Sequence, residues 1–195
     1  MKYKLTEQTL RWKCRILHRI ESLIDFDDVK VGDKGGWIEC ENNLSQKGVS
    51  WVYNNAKVYD YAKVYNNAKV CGRAEVYGHA EVYENAEVHD YAKVYGAAKV
   101  DSYATVFGNA VIKSNRDYIV FKNWWSSGRY FIWTRSNNKW KVGCFYGTSK
   151  ELVSKAYNDS KESGREYERI VKYVESILNE EKEIHLNGFS ENDLY

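Results

Sequence analysis

The feature that most constrains this chain is an uninterrupted six-residue repeat in its central part. Ten successive hexads begin at Trp51, and each has valine in its second place and alanine in its sixth. An amphipathic α-helix is excluded, because its apolar stripe recurs about every 3.6 residues. The repeat instead predicts a short strand and a corner in each hexad, with one coil completed every three hexads. The hexads are WVYNNA, KVYDYA, KVYNNA, KVCGRA, EVYGHA, EVYENA, EVHDYA, KVYGAA, KVDSYA and TVFGNA, followed by a degenerate VIKSNR.

The charged residues in the first place of the hexads test the three-sided coil independently. In such a coil, residues eighteen positions apart lie side by side on neighbouring strands, about 4.8 Å apart. Neighbours in every such column have opposite charges, which avoids repulsion and contributes about 0.2–1 kcal/mol for each exposed pair. We therefore expect these side chains to face solvent. The columns are Lys57–Glu75–Lys93, Lys63–Glu81–Lys99 and Lys69–Glu87.

The fourth place of the hexads is the predicted corner. It favours residues that tolerate a positive φ or the geometry of a tight turn. Its occupants of this kind are Asn54, Asp60, Asn66, Gly72, Gly78, Asp90, Gly96, Ser102 and Gly108. The fold class predicted for residues 51–116 is therefore mainly β, a parallel β-helix.

Both ends of a β-helix are open sheet edges that need a cover, and residues 1–50 are predicted to form one of the covers. The alternating stretch 11–24 predicts a strand or a hairpin. A glycine-rich turn and imperfect coils follow it, and they lead into the regular repeat.

Residues 117–182 predict a small C-terminal α+β domain of three strands and two helices. Thr148 and Glu151 have the spacing of a capping box for the first helix, and apolar residues at helical spacing predict the second over 165–179. Residues 183–195 are predicted to be a flexible tail. The three predicted strands cover 117–125, 129–135 and 139–146.

Several motifs outside the hexads point to a family. GDKGGWIE at 32–39, NLSQKG at 43–48 and GCFYGT at 143–148, together with the V-Y-x-N-A-K hexads, resemble a family of phage and prophage hexapeptide-repeat proteins. The resemblance implies a left-handed sense for the β-helix. It also implies an accessory role in a bacterial host, such as inhibition of a defence system like CRISPR. It supplies no set of catalytic residues.

Charge and cysteine content exclude several functional classes. The formal net charge is only +2, so the whole molecule is not predicted to attract nucleic acid or a membrane surface. The four cysteines form no C-x-x-C pair and are not grouped with histidine, which argues against a metal site and a disulfide framework. No signal peptide or membrane span is apparent. We expect a cytoplasmic protein without a cofactor. The cysteines are Cys14, Cys40, Cys71 and Cys144.

An acyltransferase is the enzymatic alternative, because many left-handed β-helix proteins have that activity. Those enzymes resemble one another in forming trimers, in having a loop that projects from the coil and in placing a histidine between subunits. No insertion interrupts residues 51–116, and His79 and His89 occupy ordinary places of the repeat. We predict a surface or stacking role for both histidines and no catalytic residue.

Tyrosines in the third place of the hexads form a second candidate surface. Tyr59, Tyr77 and Tyr95 are eighteen residues apart and therefore stack on one face. Stacking stabilises adjacent strands, and an exposed stripe is also a flat surface for a partner or for the seam of a homodimer or homotrimer. Both interpretations remain open at this point.

A cluster of aromatic and basic residues in the C-terminal part is the leading candidate for recognition. Lys122, Trp124, Trp125 and Arg129 lie close together in sequence, and such residues suit cation–π contacts or stacking on bases. Adjacent tryptophans in a strand point to opposite faces, so one of the pair should be exposed or lie under the helices. Further along, Trp133 and Trp140 are predicted to be core residues.

These observations favour a non-enzymatic binding protein. The β-helix is predicted to be a rigid or oligomerising scaffold, and the C-terminal domain is predicted to recognise a host protein or protein complex. A nucleotide or nucleic-acid binder that uses the Trp/Lys/Arg cluster is the other alternative and is not favoured.

Overall fold

The computed structural model describes residues 1–186, which form two compact units. The first unit contains residues 1–124 and 128–146, and it comprises the β-helix with a sheet at each end. The second unit contains residues 125–127 and the helical part of the chain from residue 147 onward. Residues 187–195, which belong to the predicted tail, lie outside the described residues.

The central strands confirm the parallel β-helix. Each regular strand contains only the first two places of a hexad, and strands of every third hexad pair in parallel with Lys57 opposite Glu75. The β-helix makes about four turns. Three strands of the N-terminal part come first in the chain. The strands of the β-helix are β4 Trp51–Val52, β5 Lys57–Val58, β6 Lys63–Val64, β7 Lys69–Val70, β8 Glu75–Val76, β9 Glu81–Val82, β10 Glu87–Val88, β11 Lys93–Val94, β12 Lys99–Val100, β13 Thr105–Val106 and β14 Val111–Ile112.

Three separate strand ladders form the faces. The first continues the N-terminal sheet through β5, β8, β11 and β14; the second has the order β13-β10-β7-β4; the third has the order β12-β9-β6. The predicted corners are confirmed, since the fourth place of every regular hexad has a positive φ, from Asn54 to Gly108. Glu84 takes this conformation as well, at φ 56°, although its side chain is not a favoured corner residue.

The interior of the β-helix contains the valines of the second place and the alanines of the sixth. Val52 through Val106 and Ala56 through Ala110 have at most 1% of their surface exposed. Valine fills the middle of each flat face, and alanine fits where the chain approaches a corner. The sixth place therefore requires a small side chain, because a larger one would not fit in the interior.

We expect Ala80→Leu to lower the free energy of unfolding by about 1–3 kcal/mol, because three added carbon atoms overpack a closed coil. Ala97→Leu is the matched control, since Ala97 is an exposed fifth-place residue only one coil away. Urea denaturation followed by circular dichroism measures both variants. Equal midpoints for Ala80→Leu and the wild type would contradict the internal position of the sixth place.

The N-terminal cover is a hairpin that extends the first face. Strands β1 (Tyr3–Trp12) and β2 (Arg15–Ser22) pair antiparallel, β2 pairs with β3 (Lys34–Ile38), and β3 pairs in parallel with β5. The hairpin therefore starts earlier than the predicted stretch 11–24. A short 3₁₀ helix follows β3, and its Asn43 amide donates hydrogen bonds to the backbone carbonyls of Asp60 and Ala62.

The tip of this hairpin covers two first-place residues, and the expectation that all of them face solvent is wrong there. Lys57 and Glu75 are each only 8% exposed. Trp12 and Lys13 lie over them, with Trp12 Nε1 and Lys13 Nζ both 3.3 Å from a Glu75 carboxylate oxygen. The pattern of the hexads contains no information about this contact, because the hairpin is outside the repeat.

The C-terminal sheet of the first unit contains four strands rather than the three predicted. They are β15 (Tyr118–Lys122), β16 (Tyr130–Thr134), β17 (Lys139–Val142) and β18 (Phe145–Gly147). The predicted strand 139–146 is divided because Gly143 takes a positive φ of 52°. A 3₁₀ helix over Asn115–Asp117 joins this sheet to the last coil.

The two helices form the second unit. Helix α1 spans Ser149–Asp159, and the predicted capping box between Thr148 and Glu151 is present. Helix α2 spans Lys161–Leu186, so it is longer at both ends than the predicted 165–179. Its C-terminal end also enters the region predicted to be a tail. Buried residues on the facing sides of the helices include Leu152, Ala156, Val171 and Val174.

Candidate functional site

An open cleft of about 500 Å³ lies between the second face of the β-helix and the C-terminal sheet. Coil residues line one side of this recognition cleft, and residues of β16, β17 and their neighbours line the other. Its main polar and aromatic residues are Glu87, His89, Tyr103, Phe107, Arg129, Tyr130 and Lys141. All of them belong to the first unit.

Aromatic rings form an exposed platform at the edge of the recognition cleft. Tyr103 is 50% exposed and stacks on Tyr130 of β16, with ring centroids 4.6 Å apart and an interplanar angle of 10°. Lys122 Nζ lies 5.8 Å from the Tyr130 ring, and Lys141 Nζ lies 4.5 Å from the Phe107 ring. Cations over ring faces are attracted to them and hold the aromatic groups in place.

A histidine adds to the positive charge of the recognition cleft. His89 Nε2 lies 2.9 Å from a Glu87 carboxylate oxygen. Burial alone lowers the pKa of His89, but its hydrogen bonds to Cys71 and Glu87 outweigh burial and raise the pKa to about 9. The same contact holds the pKa of Glu87 below its usual range. At neutral pH the cleft therefore presents the cations of His89, Arg129 and Lys141 around one carboxylate.

The structure brings only part of the predicted Trp/Lys/Arg cluster together. Arg129 lines the cleft, and Lys122 lies over the Tyr130 ring at its edge. Trp124 and Trp125 lie in a turn rather than in a strand. Trp124 belongs to the first unit and is 78% exposed, whereas Trp125 belongs to the second unit and meets Tyr167 of α2 edge-on at 5.5 Å.

The core prediction for the other two tryptophans is confirmed. Trp133 is 1% exposed and Trp140 is fully buried, and they are paired across β16 and β17. They shape the sheet that forms one wall of the cleft, and they are not available to a partner.

The tyrosine stripe forms as predicted, but it is not open along its full length. Tyr59 stacks on Tyr77 with centroids 5.0 Å apart, and Tyr77 stacks on Tyr95 at 4.8 Å. Tyr59 is only 2% exposed, because the hairpin tip lies over it and its hydroxyl donates to Glu75 at 2.8 Å. The expected exposed surface is therefore wrong at Tyr59, while Tyr77 and Tyr95 are half-buried.

The other histidine of the repeat is at a corner. His79 stacks on the exposed Tyr61, with centroids 4.9 Å apart. Both rings line an open polar pocket of about 850 Å³ that also includes Arg15, Asp60 and Glu39. Ion pairs from Arg15 to both carboxylates occupy the guanidinium. The predicted stacking role of His79 is confirmed.

Sequence reasoning missed Tyr103 and Tyr130. The eighteen-residue spacing predicts the column that contains Tyr103, in which Asn85 is its neighbour in the preceding coil. It does not predict that β16 approaches this column, because the repeat contains no information about which face meets the C-terminal sheet. The signal available in the sequence was that Tyr103 occupies the fifth place of a hexad in the last full coil.

Comparison with known proteins gives one partial likeness. No family model matches the chain. A segment of 61 residues is 34% identical to the "Uncharacterized acetyltransferase YdcK" of Escherichia coli (strain K12). The likeness covers 27% of this chain and 19% of that protein, so the chain spans about a fifth of its length.

Within residues 1–186, no helix is long and apolar enough to cross a membrane. In the same part of the chain, His, Cys, Asp and Glu side chains form no group of three or more that would hold a metal ion.

Proposed function

We propose that this chain is a binding protein that recognises a segment of another protein in the recognition cleft. The observation that carries the proposal is the exposed Tyr103–Tyr130 stack beside Arg129 and Lys141. Tyrosine, tryptophan and arginine dominate the energy of protein interfaces, because they combine a large apolar area with fixed hydrogen-bonding groups. Trp124, 78% exposed, adds a further aromatic side chain on the same unit.

Charge supports a protein partner with acidic and aromatic side chains rather than a nucleic acid. The cations around the cleft favour carboxylates, and the stacked rings favour an aromatic or apolar side chain. Nucleic-acid binding depends on a continuous line of cations that follows the phosphates. Here Glu87 interrupts the cations of the cleft, and the formal net charge of the chain is only +2.

The β-helix supports this function as a scaffold. Its interior is closed by buried valine and alanine, and every coil is hydrogen-bonded to the next, so one wall of the cleft is held rigidly. A rigid site loses little conformational entropy on binding. The resemblance of GDKGGWIE and GCFYGT to phage proteins supports a host protein as the partner and inhibition of a bacterial defence complex as the role.

The test is capture of a partner from a bacterial lysate, followed by affinity measurement with the purified partner. We expect Tyr103→Ala combined with Arg129→Ala to weaken the affinity by roughly tenfold or more. Arg73→Ala combined with Tyr91→Ala is the matched control, since this exposed pair is in contact at another corner of the β-helix. Equal affinities of the cleft variant and the control would contradict the proposal that the recognition cleft binds the partner.

Acyl transfer is the second candidate function, and the likeness to the Escherichia coli protein named an acetyltransferase favours it. Its chemistry would require a general base, for which His79 and His89 are the histidines of the repeat. Removing such a base lowers the rate by roughly 10²–10⁴-fold. A transferase activity that falls in His79→Ala, whose side chain lies outside the recognition cleft, with partner capture unchanged, would favour this candidate over the first.

A further inference from the structure

A lysine ammonium group is buried at the open N-terminal end of the β-helix. Lys2 is only 3% exposed. Its Nζ donates to the Ser50 carbonyl at 2.7 Å, to the Ser50 hydroxyl at 3.3 Å and to the Gly48 carbonyl at 3.5 Å. The same atom lies over the Phe26 ring, 5.3 Å from its centroid. An ammonium group has three N–H donors, so these oxygens match its full hydrogen-bonding capacity.

The carbonyls at this end have no preceding coil to supply their hydrogen bonds. In the regular coils, a sixth-place carbonyl accepts from the coil before it, as the Ala68 carbonyl accepts from the Trp51 N–H at 3.1 Å. Ser50 directly precedes Trp51 and therefore has the sixth place of the first coil. Lys2 replaces the backbone donor that is missing there. The next residue, Tyr3, replaces another, because its hydroxyl donates to the first-coil carbonyl of Leu44 at 2.7 Å.

Neutral groups, rather than carboxylates, hold the ammonium of Lys2. Among residues 1–186, no acidic side chain forms an ion pair with Lys2 or shifts its pKa; burial lowers that pKa to about 8, so the amine is mostly protonated at neutral pH. Carbonyl oxygens can replace the hydration shell of a monovalent cation, and an aromatic face also attracts a cation. The end of the coil therefore has the chemistry of a cation site that selects for N–H donors.

We propose that Ser50, Gly48 and Phe26 form a binding site for a primary ammonium group. Lys2 fills the site in the intact protein, and a free alkylammonium ion fills it when the Lys2 side chain is removed. The n-propylammonium ion contains the same carbon and nitrogen atoms that Lys2→Ala removes, so it is the matching probe. This inference does not depend on the recognition cleft or on its partner.

Thermal denaturation of the full-length chain tests the site by chemical rescue. Lys2→Ala should lower the midpoint, and about 100 mM n-propylammonium chloride should raise it again by roughly 2–5 °C, because a ligand that binds only the folded state stabilises that state. Lys2→Met is the matched control, since it lacks the ammonium group but its side chain still fills the path to the site. Tetramethylammonium chloride controls for ionic strength, because this ion has no N–H donor.

A measurement on the wild-type protein makes the test independent of how well Lys2→Ala folds. Nuclear magnetic resonance of isotope-labelled protein detects lysine ammonium groups that exchange slowly with water. We expect such a signal in the wild type and its loss in Lys2→Met. The proposal is overturned if this signal is absent from the wild type, if n-propylammonium leaves the midpoint of Lys2→Ala unchanged, or if it raises the midpoint of Lys2→Met equally.

Discussion

Glu75→Lys is expected to lower the free energy of unfolding by about 3–5 kcal/mol, because it removes a buried acceptor and adds a buried cation. The Glu75 carboxylate accepts hydrogen bonds from Trp12, Lys13 and Tyr59, and it is the central anion of its column. A lysine there would face Lys13 and Lys57 under the hairpin tip. Since the site is buried, added salt should restore little of the loss.

Glu81→Lys is the matched control for this reversal. Glu81 is central in the neighbouring column, but the lysines on both sides of it are exposed. There we expect a loss of about 1 kcal/mol or less that shrinks as salt rises. Denaturation of both variants at low and high salt measures the difference. Similar, salt-sensitive losses at the two positions would show that the hairpin tip does not enclose Glu75.

Trp51→Ala is expected to lower the free energy of unfolding by a similar amount, about 3–5 kcal/mol, because a large cavity opens under the N-terminal cover. Trp51 is 1% exposed and lies on β4, the edge strand of the second face. Its ring meets Phe26 edge-on at 5.5 Å and Tyr3 at 6.1 Å. The substitution would loosen the cover and uncover a sheet edge, so we also expect aggregation on heating.

Trp124→Ala is the matched control, because it makes the same substitution at a tryptophan that is 78% exposed. Its thermal denaturation should remain close to that of the wild type, while light scattering during heating should rise earlier for Trp51→Ala. A stable, soluble Trp51→Ala protein would refute the assignment of Trp51 as the contact between cover and coil.

The regular part of the fold was predictable because each hexad repeats the same local requirements for side-chain size and backbone conformation. Valine, alanine and the corner residue recur in fixed places, and the eighteen-residue charge columns fix which strands pair. The prediction required no knowledge of other segments. Even the unfavourable corner at Glu84 follows from its place in the repeat.

The cover at each end was predictable only in outline, because its contacts join segments that share no pattern. The tip at Trp12 and Lys13 buries Glu75 and Tyr59, and this contact joins residues more than forty positions apart. Gly143 divides a predicted strand, and its sequence context does not reveal a positive φ. The candidate cleft depends on such contacts, so Arg129 was found from its chemistry, whereas Tyr103 and Tyr130 were found only from the structure.

The three-faced coil restricts how this chain can change in length. The hairpin tip contacts the face that contains β5 and β8, and β16 of the C-terminal sheet lies against β13 of another face. Loss or gain of a single hexad would move every later strand to the next face relative to the hairpin. The C-terminal sheet would then lie on a different face of the coil. Loss or gain of eighteen residues changes the separation of the two ends and keeps their orientation. Evolutionary insertions and engineered spacers in this protein should therefore come in whole coils.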